Sequence, residues 1–138
     1  MPHWNTEQLR LRLAEAFGAT NVALLVDAED ALQIVVAEAG DLEVTLVVSE
    51  DQIHVSTPLV TGAQVRDRAA FNEACLRLNP INPLSNLGLA TVDGEDLYVV
   101  FGELSADSTE AQIIVEIRTL GVNAIDAIET LKPFLVHA

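Results

Sequence analysis

Apolar positions change their period several times along this chain. Behind Asn5-Thr6, the residues Leu9, Leu13 and Phe17 recur at every fourth position, and Gly18 follows. That spacing predicts an amphipathic helix over 7–17, with a polar N-cap and a glycine stop. Trp4 precedes the cap and is placed to act as a hydrophobic staple. The period then shortens to two. Val22 to Val26 is a short apolar run, and Leu32, Ile34 and Val36 alternate within Ala31 to Ala37. Leu42, Val44, Leu46 and Val48 alternate with Glu43, Thr45 and Val47, while Ile53, Val55 and Thr57 alternate with His54 and Ser56. Acidic or glycine turns at Asp27 to Asp30, Ala39-Gly40-Asp41 and Ser49-Glu50-Asp51 separate these runs, which together read as an antiparallel meander of three or four strands.

Helical spacing returns after Asp67, where Ala70, Phe71, Ala74, Cys75 and Leu78 share one face; Asn79-Pro80 and Asn82-Pro83 end this helix. Leu87 to Val92 and Leu97 to Leu104 flank Asp93-Gly94-Glu95-Asp96, and Asp-Gly between two apolar runs signals a hairpin. Asp107-Ser108 is the expected cap of a long last helix, whose stripe is Ile113, Ile117, Leu120, Ala124, Ile128 and Leu131. Gly121 weakens it locally, and Pro133 marks its end. The order helix, strands, helix, hairpin, helix predicts an α+β fold: one domain over 1–138, with an antiparallel sheet of five to six strands and three helices. Val35, Val47 and Ala37 occupy alternates expected to be polar, which fits either a thicker core or self-association through the sheet or the long helix.

Composition narrows the class. Half of the 138 residues are hydrophobic, enough to offset the entropy of ordering a charged chain. Seven Lys and Arg against 21 Asp and Glu leave a net charge of −14, which disfavours nucleic acid and anionic lipid as partners. The acidity is uneven. The first 62 residues hold ten acids and two bases, whereas residues 63–104 hold six and three. Charges at Glu7, Arg10, Arg12 and Glu15 interrupt the N-terminal segment and argue against a secretory signal, and no apolar run reaches membrane-spanning length. The single Cys75 cannot form an intramolecular disulfide, so a reducing cytosol is the expected compartment.

Catalytic signatures are sparse. His3 and His137 lie near the termini, His54 alternates on a strand, and the spacings of zinc sites are missing, so no metal or cofactor is expected. Cys75 sits on an apolar helix face late in its helix, where it behaves as a small hydrophobe. The clusters Asp27/Glu29/Asp30, Glu50/Asp51 and Asp93/Glu95/Asp96 fall in expected turns, where Asp and Gly serve chain reversal. Arg66, Arg68 and Arg77 stand out as three of only seven bases gathered round the second helix. They could bind an anion or acidic partner, or pair internally with Asp67 and Glu73.

The stretch Val65 to Arg77 resembles a signature of the YjfI-like family of uncharacterised bacterial proteins. Pro83 to Leu89, Gly94 to Ala106, and Glu116-Ile117, Thr119-Leu120 and Asn123-Ala124-Ile125 extend the resemblance over about 60–130. Asn79-Pro80-Ile81-Asn82 departs from the basic-aromatic run that the family carries before Pro-Leu-Ser. The element order also looks like the type III secretion chaperone fold. The resemblance implies no particular activity; it implies a binding or regulatory role, in company with phage-shock-protein-A-like membrane-stress proteins. The expectation is therefore a cytosolic, non-enzymatic interaction module, adaptor- or chaperone-like, for a basic or amphipathic protein partner. The alternative is a regulatory domain for a small molecule or metal. The candidate surface is Arg66, Arg68, Asn72, Arg77, Ser85, Glu95, Asp96 and Tyr98.

Overall fold

A computed structural model describes residues 4–136. His3 and His137 lie outside the described residues. Three helices, α1 (Thr6–Phe17), α2 (Arg68–Leu78) and α3 (Glu110–Leu131), accompany six strands. The strands are β1 (Val22–Leu24), β2 (Ala31–Val36), β3 (Leu42–Ser49), β4 (Gln52–Thr61), β5 (Asn86–Val92) and β6 (Glu95–Ser105). They form one sheet in the order β1-β2-β3-β4-β6-β5, every neighbouring pair antiparallel. The α+β class and the three helices are those expected from the pattern, and the antiparallel sheet takes the upper of the five to six strands expected.

Alternation decides which face is covered. Leu32, Ile34, Val36, Val44, Leu46, Ile53, Val55, Tyr98 and Val100 point to one side and are buried there. Leu9 and Leu13 of α1, Phe71 and Cys75 of α2, and the stripe of α3 join them in a single core cluster. All three helices therefore lie on the same face of the sheet. Val35 and Val47 sit half-buried on the other face, whereas Ala37 leaves the strand in a short 3₁₀ turn, Ala37–Ala39.

Local chemistry sets the boundaries. Asn5 caps α1 in a reciprocal box with Gln8: the Gln8 N–H donates to Asn5 Oδ1 at 2.8 Å, and the Asn5 N–H to Gln8 Oε1 at 3.2 Å. Trp4 packs against the core and donates from Nε1 to the Ser108 carbonyl at 2.7 Å, tying the first residues to the start of α3. The cap of α3 is Thr109, in a box with Gln112, one residue beyond the expected Asp107-Ser108. The last hairpin is also tighter than expected. Asp93 (φ 52°) and Gly94 (φ 81°) alone form its turn, so Glu95 and Asp96 belong to β6. β1 stops at Leu24, two residues early, and β4 continues to Thr61 through an irregularity between Pro58 and Val60. Gly121 does not break α3. A Cβ there would stand 3.2 Å from the Ala39 Cβ, so its absence lets the helix settle against the turn after β2.

Candidate functional site

The start of α2 faces the start of β6. Arg68 donates from Nη2 to Asp96 Oδ2 at 2.8 Å and from Nε to the Tyr98 hydroxyl at 3.0 Å. The Tyr98 hydroxyl in turn donates to Asn72 Oδ1. The Arg68 guanidinium lies 5.5 Å from the Tyr98 ring centroid, and Phe71 meets the same ring edge-on at 4.5 Å. Arg68, Asn72, Asp96 and Tyr98 thus form one relay, and Glu95 joins Arg68 and Asp96 along a cleft of about 160 Å³ that also takes in Thr61 and Gly62. Asp96 can reach Arg68 because it is part of the strand, not of the turn.

The other sequence candidates lie elsewhere. Arg66 donates from Nη2 to the carbonyls of Pro133 (3.1 Å) and Leu135 (2.8 Å). Its backbone N–H reaches Phe134 O at 2.8 Å, so it fastens the segment after α3. Arg77 is at the far end of α2, in an exposed pair with Glu73 at 3.5 Å. Asp67 does not pair with an arginine; its carboxylate caps α2 by accepting from the Ala70 N–H at 3.1 Å. Ser85 is buried in the loop before β5, and its Oγ lacks a partner among the described residues. Cys75 is buried, and burial pushes its thiol up to about 11, away from nucleophilic use at neutral pH.

A second cluster, around Glu116, lies outside the candidates that the sequence marks. Glu116 is only 4% exposed, and its Oε2 has no hydrogen-bond partner among the described residues. Desolvation raises its pKa above the ordinary carboxylate value. Its carboxyl lies against Gly102 of β6, where any Cβ would overlap Glu116 Oε2 and stand 3.3 Å from the Leu84 carbonyl oxygen. Leu84 has φ 66°, a left-handed backbone that an L-residue rarely adopts. A cleft of about 390 Å³ opens here between α3, the end of β6 and the loop at Leu84. Asn123, one heptad after Glu116, is also buried and donates to the Pro83 carbonyl at 2.7 Å, holding that loop to α3. The signal was present: Glu116 and Asn123 fall on the apolar side of α3, at positions 3 after Ile113 and 3 after Leu120.

One face of helices over a six-stranded antiparallel sheet, with two polar clusters at its margins, is an α+β fold like that found in type III secretion chaperone complexes. Three solved structures share this fold: YbjN, a putative transcription regulator from E. coli (TM-score 0.69, 16% identity, 96% of each chain); the ExoU–SpcU complex of the type III secretion system of Pseudomonas aeruginosa (0.61, 17%, 94% of this chain and 98% of that one); and the HopA1–SchA chaperone–effector complex (0.58, 13%, 93% and 91%). The chain belongs to the family described as "Uncharacterized protein conserved in bacteria (DUF2170)", which matches residues 3–135. It is 31% identical over 110 residues to the uncharacterized protein YjfI of Escherichia coli K12, covering 80% of this chain and 83% of that protein.

Proposed function

We propose that the protein is a non-enzymatic interaction module of the cytosol, adaptor- or chaperone-like, that binds a basic or amphipathic segment of another protein. The observation that carries this reading is the uncovered sheet face. With all three helices on one side, Val35, Val47, Val99 and Phe101 stand half-buried on the other. Glu43 and Glu103 share that face in the alternation of β3 and β6. Apolar positions set among carboxylates complement a segment whose side chains are alternately apolar and basic. The fold shared with a chaperone–effector complex supports the same reading, as an analogy of fold. A phage-shock-protein-A-like partner belongs to the proposal through the family resemblance. A homodimer would form through the same sheet face or through Val115, Val122 and Ile125, which α3 leaves exposed.

The test is affinity purification from the native host at low salt, read by mass spectrometry. A specific partner that rising salt releases is expected; the absence of any specific protein partner would count against the reading.

The alternative of a small-molecule regulatory domain is favoured by one feature, the cleft beside Arg68, Glu95 and Asp96. A thermal-shift screen against anionic metabolites and metal ions decides it, because a native-state ligand raises the melting temperature by mass action. A flat response removes it.

A further inference from the structure

The outer strand β5 is an unprotected sheet edge. It pairs with β6 alone, in an unbroken register from Asn86 to Val92. Sheet edges are ordinarily shielded by shortness, charge, proline or a bulge. The opposite edge, β1, is short, only Val22–Leu24. β5 has none of these shields: from Leu78 to Val92 the chain carries no charged residue, and Pro80 and Pro83 both precede the strand. Leu76, Leu89 and Val92 stand exposed, and the first two wall a groove of about 230 Å³ between α2 and β5.

Asn79 reveals which way the backbone of this edge points. The Leu87 N–H donates to Asn79 Oδ1 at 2.7 Å, and the Leu87 carbonyl accepts from Asn79 Nδ2 at 3.3 Å. Both groups therefore face away from β6. By the period of an antiparallel ladder, the N–H and C=O of Leu89 and Thr91 face outward too. Among the described residues these outward groups meet no partner. Asn79 plugs one end of the edge, and the Asp93-Gly94 turn closes the other. What stays open is a short window centred on Ala90, which matches itself when turned end for end. A long strand from another protein would run into the Asn79 plug. Charge favours the same occupant. Two molecules of net charge −14 repel, so a second copy docks best where acids are absent. The open sheet face carries Glu43 and Glu103, and on α3 Asp126 and Glu129 follow Val122 and Ile125 by one helical turn. The paired window of β5 carries no charge.

We propose that β5 pairs with the β5 of a second copy of this chain, antiparallel about a two-fold axis at Ala90, and so joins two sheets into one. Leu89 and Thr91 of each copy exchange N–H···O=C bonds with Thr91 and Leu89 of the other. On the helix side the two Leu89 side chains are diagonal neighbours, within reach of each other, and each lies beside its own Leu76. On the open side Val92 comes opposite the second copy's Gly88. A Cβ at Gly88 would stand 2.8 Å from Phe101 Cε1, so the glycine lets the Phe101 ring lie across the strand, where the incoming valine meets it. The dimer sets the two open sheet faces side by side and leaves both free. It therefore goes beyond the partner reading above and does not depend on it.

The experiment combines sedimentation equilibrium of the full chain with amide hydrogen exchange read by NMR over a range of protein concentrations. A monomer–dimer equilibrium is expected. The Leu89 and Thr91 amides should exchange quickly in dilute solution and become protected as the dimer fills, whereas Asn79 protects Leu87 at every concentration. Thr91→Pro removes an outward N–H and spares the ladder to β6. Symmetry then costs two hydrogen bonds at once, so the dissociation constant should rise at least about tenfold. Leu89→Lys puts a charge on the edge and should do the same; it carries the test if circular dichroism shows the proline variant unfolded. Val122→Lys on α3 should leave the dimer intact. A chain that stays monomeric at millimolar concentration overturns the proposal. So does a dimer that survives Leu89→Lys, one that Val122→Lys abolishes, or exchange at Leu89 and Thr91 that ignores concentration. The partner reading is scored separately, by whether the monomeric edge variants still capture a basic partner.

Discussion

Glu116 sits between Ile113 and Ile117 on the buried side of α3, where a carboxyl has to lose most of its hydration. Burial raises its folded-state pKa above the ordinary value of 4.5. Between those two values the native protein holds a proton that the unfolded chain has released. The sign follows: the contribution is fully present below the ordinary carboxylate range and is lost as pH rises through the raised folded value. Glu116→Gln cannot titrate, so the difference in unfolding free energy between variant and wild type should grow in favour of the variant across that window, then level off. Urea denaturation at a series of pH values measures it. Parallel curves for the two proteins would show that Glu116 keeps an ordinary pKa. The other acids cancel in this comparison, because both proteins carry them.

At the scale of elements, caps and registers explain most boundaries. Thr109→Ala should cost about 1 kcal/mol, the usual loss when an N-cap hydroxyl is removed, whereas Ser108→Ala should be close to neutral. Chemical denaturation distinguishes them, and equal costs would move the cap back to the position the sequence suggested. The one-residue offset has a local cause. Asp107, Ser108 and Thr109 are all competent caps, and only the backbone at Thr109 (φ −72°, ψ 159°), with Gln112 three residues on, settles which of them is used. Period-two alternation, the Asp-Gly turn and the prolines after α2 were readable because each acts over a few residues. The Arg68 relay was readable only as a set of names. Arg68 and Asp96 are 28 residues apart, and they meet because β6 begins at Glu95 and pairs with β4 instead of staying in a loop. Arg66 and Ser85 look like their neighbours in sequence, yet one fastens the segment after α3 and the other is buried before β5. Glu116 was hidden for a different reason: a stripe judged by its apolar members leaves out the polar residue placed among them.

The whole molecule joins an acidic first half to a more evenly charged second half. The helices gather the apolar side chains on one face of the sheet, and on the other Glu43 and Glu103 stand among the half-buried Val35, Val47, Val99 and Phe101. Among the described residues, no helix is long and apolar enough to cross a membrane. If acidity steers a basic segment to this surface, association should be fast at low salt and weaken as ionic strength shortens the range of the field, which is ~10 Å at 0.1 M. The apolar contacts would then resist salt and hold the complex once formed. The most direct measurement of partner binding is the affinity of the immobilised full chain for the protein it captures from its native host, followed over a salt gradient. An interaction module for basic segments should capture a specific partner whose bound segment is basic and amphipathic, with affinity falling steadily as salt rises. A chain that captures no specific protein at low salt, or one whose partner is acidic and binds more tightly as salt increases, would contradict it.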